Sequence, residues 1–343
     1  MRKFLVLIVA VFLFGIAGRP ACAEDTVPVG VLRVVSDTPL FLAEKKGYFH
    51  EEGIAVKFIP FISGAKMVAP LGTGEIAAGA GATSAGLYNA EQRGIDIKVV
   101  ADKATNRHGF DYRALLVRKA LVTSGKFKTL ADLRGLKVGI VAEGAADNSI
   151  LNAAVVKAGL TINDVDRVYL GFSPQILALD HGAIDAAINI EPDITRALRL
   201  GSVVRFMPVS DFYPVQQTAV LFYSGDFIAK HRDEAMRFMV AYLRAVRFFD
   251  DAVKNGKITG PHADELIQLI SEMTGEKDQS VLRDMVTNWC NPDGQVNIPS
   301  MKKDLAFFRA QGEVKGTISV DQVLDPSFAA AAVKKLGPYR PKS

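Results

Sequence analysis

Two stretches of this chain follow one plan, and that recurrence limits its possible folds more than any other feature. LGTGEIAAGAGATS (71–84) aligns with LDHGAIDAAINIEP (179–192), placing Gly74 over Gly182, Ile76 over Ile184 and Ala78 over Ala186. In each stretch a glycine ends a helical pattern, an apolar strand follows, and the strand opens into polar residues.

The units upstream of these stretches match too. Val27 to Val35 reads as a strand, Ser36-Asp37-Thr38-Pro39 supplies capping side chains and an early helical proline, and IAVKFIPF (54–61) is the next strand. Later, KVGIV (137–141) is a strand, AEGAADNS (142–149) a turn, Ile150 to Lys157 a helix, and DRVYLGF (166–172) a strand. Alternating strands and helices with short connections predict an α/β fold of two doubly wound, parallel-sheet lobes. YRALLVRK (112–119) and TAVLFYSG (218–225) flank the second set and predict two crossing strands.

Residues 24–115 and 219–343 are therefore expected to form the first lobe, and residues 116–218 the second. After Phe227 the pattern is helical, with helices expected over 230–256 and near 262–273, 277–290, 298–311 and 326–336, wrapping the first lobe.

The first residues predict the compartment. Arg2 and Lys3, the apolar run from Phe4 to Ala17, and Ala21-Cys22-Ala23 read as a secretory signal cleaved after Ala23, which implies a periplasmic protein. Cleavage removes Arg2, Lys3 and Arg19 and no acid, so the formal charge falls from +4 to +1. A nearly neutral chain carries no basic field for nucleic acid. Of the two cysteines Cys22 leaves with the signal, which excludes an intrachain disulfide and makes Cys290 a packing residue.

In open α/β sheets ligands lie beyond the carboxyl ends of the strands. That rule gathers Ser36, Asp37, Thr83, Ser84, Gly144, Asp147, Asn148 and Ser149 around one cleft, where helix-start amides and polar side chains can hold a small ligand. Asp147, Asn148 and Ser149 can equally cap their own helix. Glu191 stands where an apolar strand meets Pro192 and would favour an amine or a ring N–H. Lys103, Arg107, His108 and Arg113 follow KVVAD (98–102) and could meet an acid group, although Lys103 and Arg107 read best as solvated surface. Phe172, Ser173, Phe212 and Tyr213 lie beyond predicted strands, to stack on a ligand or to fill the seam between lobes.

Other chemistries lack their residues. EGAADNS has no Gly-Lys-Ser/Thr ending, GAGATS completes no dinucleotide fingerprint, and neither HExxH nor GxSxG occurs. His50, His108, His181, His231 and His262 are scattered, so no catalytic residue, cofactor or metal site is expected.

TPLFLAEKKGYFHEEGIAVKF (38–58) resembles the opening of ABC-transporter substrate-binding proteins of the nitrate/sulfonate/taurine and thiamine-pyrimidine-precursor type. TLADLRGLKVGIVAEGAADNSIL, AIDAAINIEPDITRA and the tail from VNIPSMKKDL to AAVKKLG resemble later family segments in the same order. The resemblance implies a type II periplasmic-binding fold, a monomer that captures a small-molecule solute and delivers it to an ABC permease at the inner membrane. It points to the Ser36-Asp37 and Thr83-Ser84 turns, Gly144 to Ser149 and Glu191 as cleft contacts. Gly144-Ala145 replaces the Gly-Ser or Gly-Thr common in sulfonate and nitrate binders, which argues against an oxyanion ligand. The cysteine-rich motif of pyrimidine-synthesising relatives is absent. A receptor that presents its ligand to a membrane sensor, or a periplasmic enzyme on the same scaffold, are the alternatives.

Overall fold

A computed structural model describes residues 25–341. The expected signal segment, 1–23, lies outside the described residues, and among these no helix is long and apolar enough to cross a membrane.

The chain builds β1 (Asp25–Val31), β2 (Ile54–Pro60), β3 (Ala78–Gly81) and β4 (Ile97–Arg107) before it changes sheets. A second sheet takes β5 (Arg113–Arg118), β6 (Lys137–Ile140), β7 (Asp166–Tyr169), β8 (Ala186–Ile190) and β9 (Val203–Pro208), and β10 (Val215–Ser224) returns to the first. The spatial orders are β2-β1-β3-β10-β4 and β7-β6-β8-β5-β9, one plan used twice. The aligned glycines recur for a physical reason: Gly74 and Gly182 both follow helices and take positive φ, at 74° and 73°, where a side chain would be strained.

The expected parallel sheets need one correction. The fourth strand of each, β10 and β5, runs antiparallel to both neighbours because each comes from a crossing connection. The lobe boundaries expected at 115/116 and 218/219 fall inside these two strands, since the chain changes sheets between Arg107 and Arg113 and again between Pro208 and Val215.

KVVAD does not end in a loop. β4 continues to Arg107 because β10 pairs with it from Ile97↔Ser224 to Arg107↔Val215, forming a long ribbon that leads into the crossing.

The helical tail packs on the first sheet through Phe238, Met239, Tyr242, Val246 and Phe249 of helix Arg232–Ala252. The tail also touches the second lobe, where helix Ile298–Ala310 meets helix Ala146–Lys157 and the short helix Gln279–Asp284 meets helix Asp193–Leu200. The helix expected over 277–290 stops at Asp284, because the backbone of Trp289 exchanges hydrogen bonds with Thr105 and the Asn291 N–H donates to Asp102. A two-strand hairpin, Val253–Lys254 with Lys257–Ile258, also interrupts the helical tail.

Candidate functional site

The turns that end β3 and β6 come from opposite lobes and meet. Ser84 and Ala145 form a bridge, and the Ala85 N–H donates to the Gly144 carbonyl at 3.0 Å. Gly144 takes φ 64°, which presents that carbonyl across the gap. Behind this contact lies a narrow chamber of about 30 Å³, lined from the first lobe by Val34, Ser36, Ser63 and Lys103 and from the second by Arg113 and Asp147.

Two buried ion pairs face the chamber. Lys103 Nζ lies 2.7 Å from Asp37 Oδ1 and donates to Ser36 Oγ at 3.0 Å. Asp37 Oδ2 accepts the Leu32 and Val34 N–H groups, both at 3.1 Å. Arg113 Nη2 pairs with Asp147 Oδ1, and its guanidinium stands 5.5 Å from the centroid of Phe172. Lys103 is therefore not solvated surface; it is 1% exposed and neutralised by a residue from the first turn. Arg107 is half-buried and lies over Trp289 at 4.5 Å.

The four charges cancel, yet the polar groups are not all satisfied. Asp147 Oδ2, Arg113 Nε and Ser63 Oγ, all from residues that line the chamber, are among the several buried side-chain atoms without a hydrogen-bond partner in the described residues. Such atoms are rare in folded proteins and call for a physical reason.

The remaining expected residues divide. Ser84 caps its own helix by accepting from the Leu87 N–H, and Thr83 is buried beside it without lining the chamber. Asn148 is also spent on its turn: its Nδ2 donates to the Ala142 and Ala145 carbonyls, and its Oδ1 accepts from Arg167. Ser149 points to the opposite lobe's helix and donates to Asp304 Oδ1 at 2.5 Å. Tyr213 donates to the same oxygen at 2.8 Å, so it fills the seam between lobes and does not face the chamber. Its ring packs in the apolar core that runs through Leu305 and Phe308 into both lobes. His108 is exposed at the crossing, 3.4 Å from Ser210 Oγ.

Glu191 is buried but not free. One carboxylate oxygen accepts from Arg205 at 3.2 Å and the other from the Thr195 N–H at 2.9 Å, and burial pushes its pKa up against these two partners. It lines a second, outer chamber of about 300 Å³ between the lobes. Leu32, Val34, Phe172 and Ile190 line both chambers, and Phe172 is the aromatic between them.

Sequence reasoning missed Lys103 and Arg113 as buried partners and missed Ser63 altogether. The sequence carried one usable signal: KVVADK runs from apolar Val99-Val100-Ala101 straight into Asp102 and Lys103, and a lysine buried with its strand demands a counter-charge.

The geometry accords with known proteins. A Brucella abortus (strain 2308) protein named "Putative binding protein" is 28% identical over 256 residues, 73% of this chain and 74% of the relative. Two solved structures share the fold. The periplasmic nitrate-binding protein of Synechocystis PCC 6803 has a TM-score of 0.73 at 14% identity, covering 91% of this chain and 89% of its own. The periplasmic aliphatic sulphonate binding protein of Escherichia coli has a TM-score of 0.68 at 18% identity, covering 88% and 92%. A desulfurization enzyme is built on the fold as well, with a TM-score of 0.60 at 14% identity over 91% of this chain and 100% of its own. The family model described as NMT1/THI5 like matches residues 35–252, well over half of the sequence, and the chain belongs to that family.

Proposed function

We propose that this protein is the periplasmic solute-binding component of an ABC importer, which captures a small organic molecule between its lobes and delivers it to a membrane permease. Asp147 and Arg113 carry the reading. They form a buried ion pair that lines the interlobe chamber and keeps an acceptor, Oδ2, and a donor, Nε, unused. A solute offering a donor and an acceptor would complete both. The Ser63 hydroxyl and the third Nζ proton of Lys103 would complete it from the other lobe. Because Lys103 is matched by Asp37 and Arg113 by Asp147, the chamber suits an uncharged or zwitterionic polar group better than a bare anion.

Bonds that bridge Ser63 and Lys103 on one lobe with Asp147 on the other exist only when the lobes are together. Binding therefore shifts the equilibrium towards closure. Moving the closed state from 1% to 99% needs a preference of roughly 5.5 kcal/mol, within reach of several charge-assisted hydrogen bonds. Of the expected contacts, Ser36, Asp147 and Phe172 keep a place at this chamber in the proposal, Asp37 acts on it only through Lys103, and Gly144 serves the lobe contact. The protein acts without transforming its cargo.

The test is native mass spectrometry of the protein isolated from its own cells. One small molecule should be released at a reproducible mass and remain unchanged after prolonged incubation with fresh protein. Asp147→Ala should abolish the adduct while the protein stays folded. No adduct, an adduct of equal occupancy in Asp147→Ala, or a product of altered mass would each refute the reading.

A further inference from the structure

The cleft has a second compartment that capture in the inner chamber leaves unused. The outer chamber, about ten times roomier at about 300 Å³ against about 30 Å³ for the inner, begins at Phe172 and is bordered by Arg33, Ile62 and Arg196. Four side chains border both spaces, so a molecule held in one abuts the other without crossing a lobe.

The charges in the outer chamber are unequal in availability. Glu191 is held by Arg205 and the Thr195 N–H. Asp193 accepts from Ser173 Oγ at 2.7 Å and pairs with Arg196, and Arg196 also lies 3.5 Å from Glu276. Arg33 differs. It is exposed, no carboxylate among the described residues pairs with it, and its φ of 58° lies in the left-handed region. A bulky non-glycine residue is rarely found there, and such backbone strain concentrates where a side chain must be aimed for function. The outer chamber therefore has one uncommitted charge, and it is positive.

We infer that the captured solute has two parts: a compact polar head without net charge in the inner chamber, and an anionic arm that passes Phe172 and meets Arg33 in the outer chamber. The inference rests on the solute-binding reading and adds ligand class and a specificity residue to it. The arm is a carboxylate or another oxyanion on an aliphatic or aromatic stem, since Leu32, Phe61, Ile62 and Phe172 supply apolar walls and Arg33 supplies planar donors.

A cysteine at the chamber wall tests this with simple probe ions, whatever the solute. Ile62 is 60% exposed and Cys290 is buried, so Ile62→Cys supplies the reactive thiol. Its modification rates by sulfonatoethyl methanethiosulfonate and by the trimethylammonioethyl reagent are compared, with the free thiol 2-mercaptoethanol as reference. Folded protein should favour the anionic reagent by about threefold or more over the reference ratio. Arg33→Gln should erase that bias and Arg33→Lys should keep it. Butyrate should slow labelling where butylamine does not. A protein ratio equal to the reference ratio, a bias that survives Arg33→Gln, or equal protection by butyrate and butylamine would overturn the inference. Those results would leave capture in the inner chamber standing, whereas failure of the mass-spectrometric test with the bias intact would refute the capture reading and leave only the anion preference of the outer chamber.

Discussion

Lys103 Nζ lies 2.7 Å from Asp37 Oδ1, and neither side chain has more than 1% of its surface exposed. The pair joins β4 to the turn after β1, at the wall of the inner chamber. Breaking a buried pair by removing one partner strands the other charge. Lys103→Met is therefore expected to lower the unfolding free energy by about 3–5 kcal/mol. Urea denaturation checks this, and adding Asp37→Asn to Lys103→Met should recover part of the loss. Equal losses in the single and double variants would contradict a stranded charge.

Asp304 gives a prediction about pH. Burial pushes its carboxyl up to about 6, against hydrogen bonds from Ser149 and Tyr213 and the charge of Lys303. Burial likewise pushes Asp102 up to about 7, despite donors from Asn291, Gln217 and Thr105. The folded state thus holds these protons over a range where the unfolded chain has released them. Stability conferred by the neutral carboxyls is complete below about pH 4 and is lost as pH rises through about 6 and 7. Thermal unfolding should show a higher melting temperature at pH 5 than at pH 8. Asp304→Asn should reduce that difference, gaining about 1–3 kcal/mol at pH 8 and little at pH 4. An unchanged pH slope in the variant would contradict the assignment.

Glu191 is expected to matter for folding more than for capture. Both its oxygens are used by Arg205 and the Thr195 N–H. Glu191→Ala should destabilise by about 2–4 kcal/mol, because it unpairs Arg205 and uncaps helix Asp193–Leu200. Glu191→Gln, which keeps an acceptor, should fall between the two and retain the solute adduct. Calorimetric unfolding with native mass spectrometry distinguishes these outcomes, and loss of the adduct in a well-folded Glu191→Gln would make Glu191 a direct solute contact.

Asp147 should separate charge from shape. Asp147→Asn preserves size and one acceptor but ends the ion pair, so solute affinity should fall about tenfold or more, equal to roughly 1.4 kcal/mol. Titration with the solute recovered from the wild type measures it, and unchanged affinity would show that the carboxylate makes no contact.

The fold was largely legible because its cues are local. Gly74 and Gly182 stop helices, and Ile76 and Ile184 are buried two residues ahead of β3 and β8, each readable from neighbours alone. The site was legible only where a turn supplied its own context, as at Ser36-Asp37 and Asp147. Lys103 looked like surface because the counter-charge that permits its burial sits far away in the chain at Asp37. Ser149 and Tyr213 looked like cleft residues because their shared partner, Asp304, lies on a helix from the tail, and no local pattern announces that helix's contact with the second lobe. Glu191 shows the opposite limit. It stands directly after an apolar strand, as its neighbours in sequence imply, but Arg205 on β9 of the same lobe takes up its charge.

If two lobes close on a solute, the distance between them must shorten when the solute binds. Spin labels at Ile95→Cys on the first lobe and Leu177→Cys on the second, both exposed positions away from the two chambers, report that distance by pulsed electron resonance. Protein stripped of its solute by unfolding, dialysis and refolding should give a long, broad distribution, and returning the solute that the wild type released should collapse it to a short, narrow one. The same distribution in both samples would contradict closure and the account built on it.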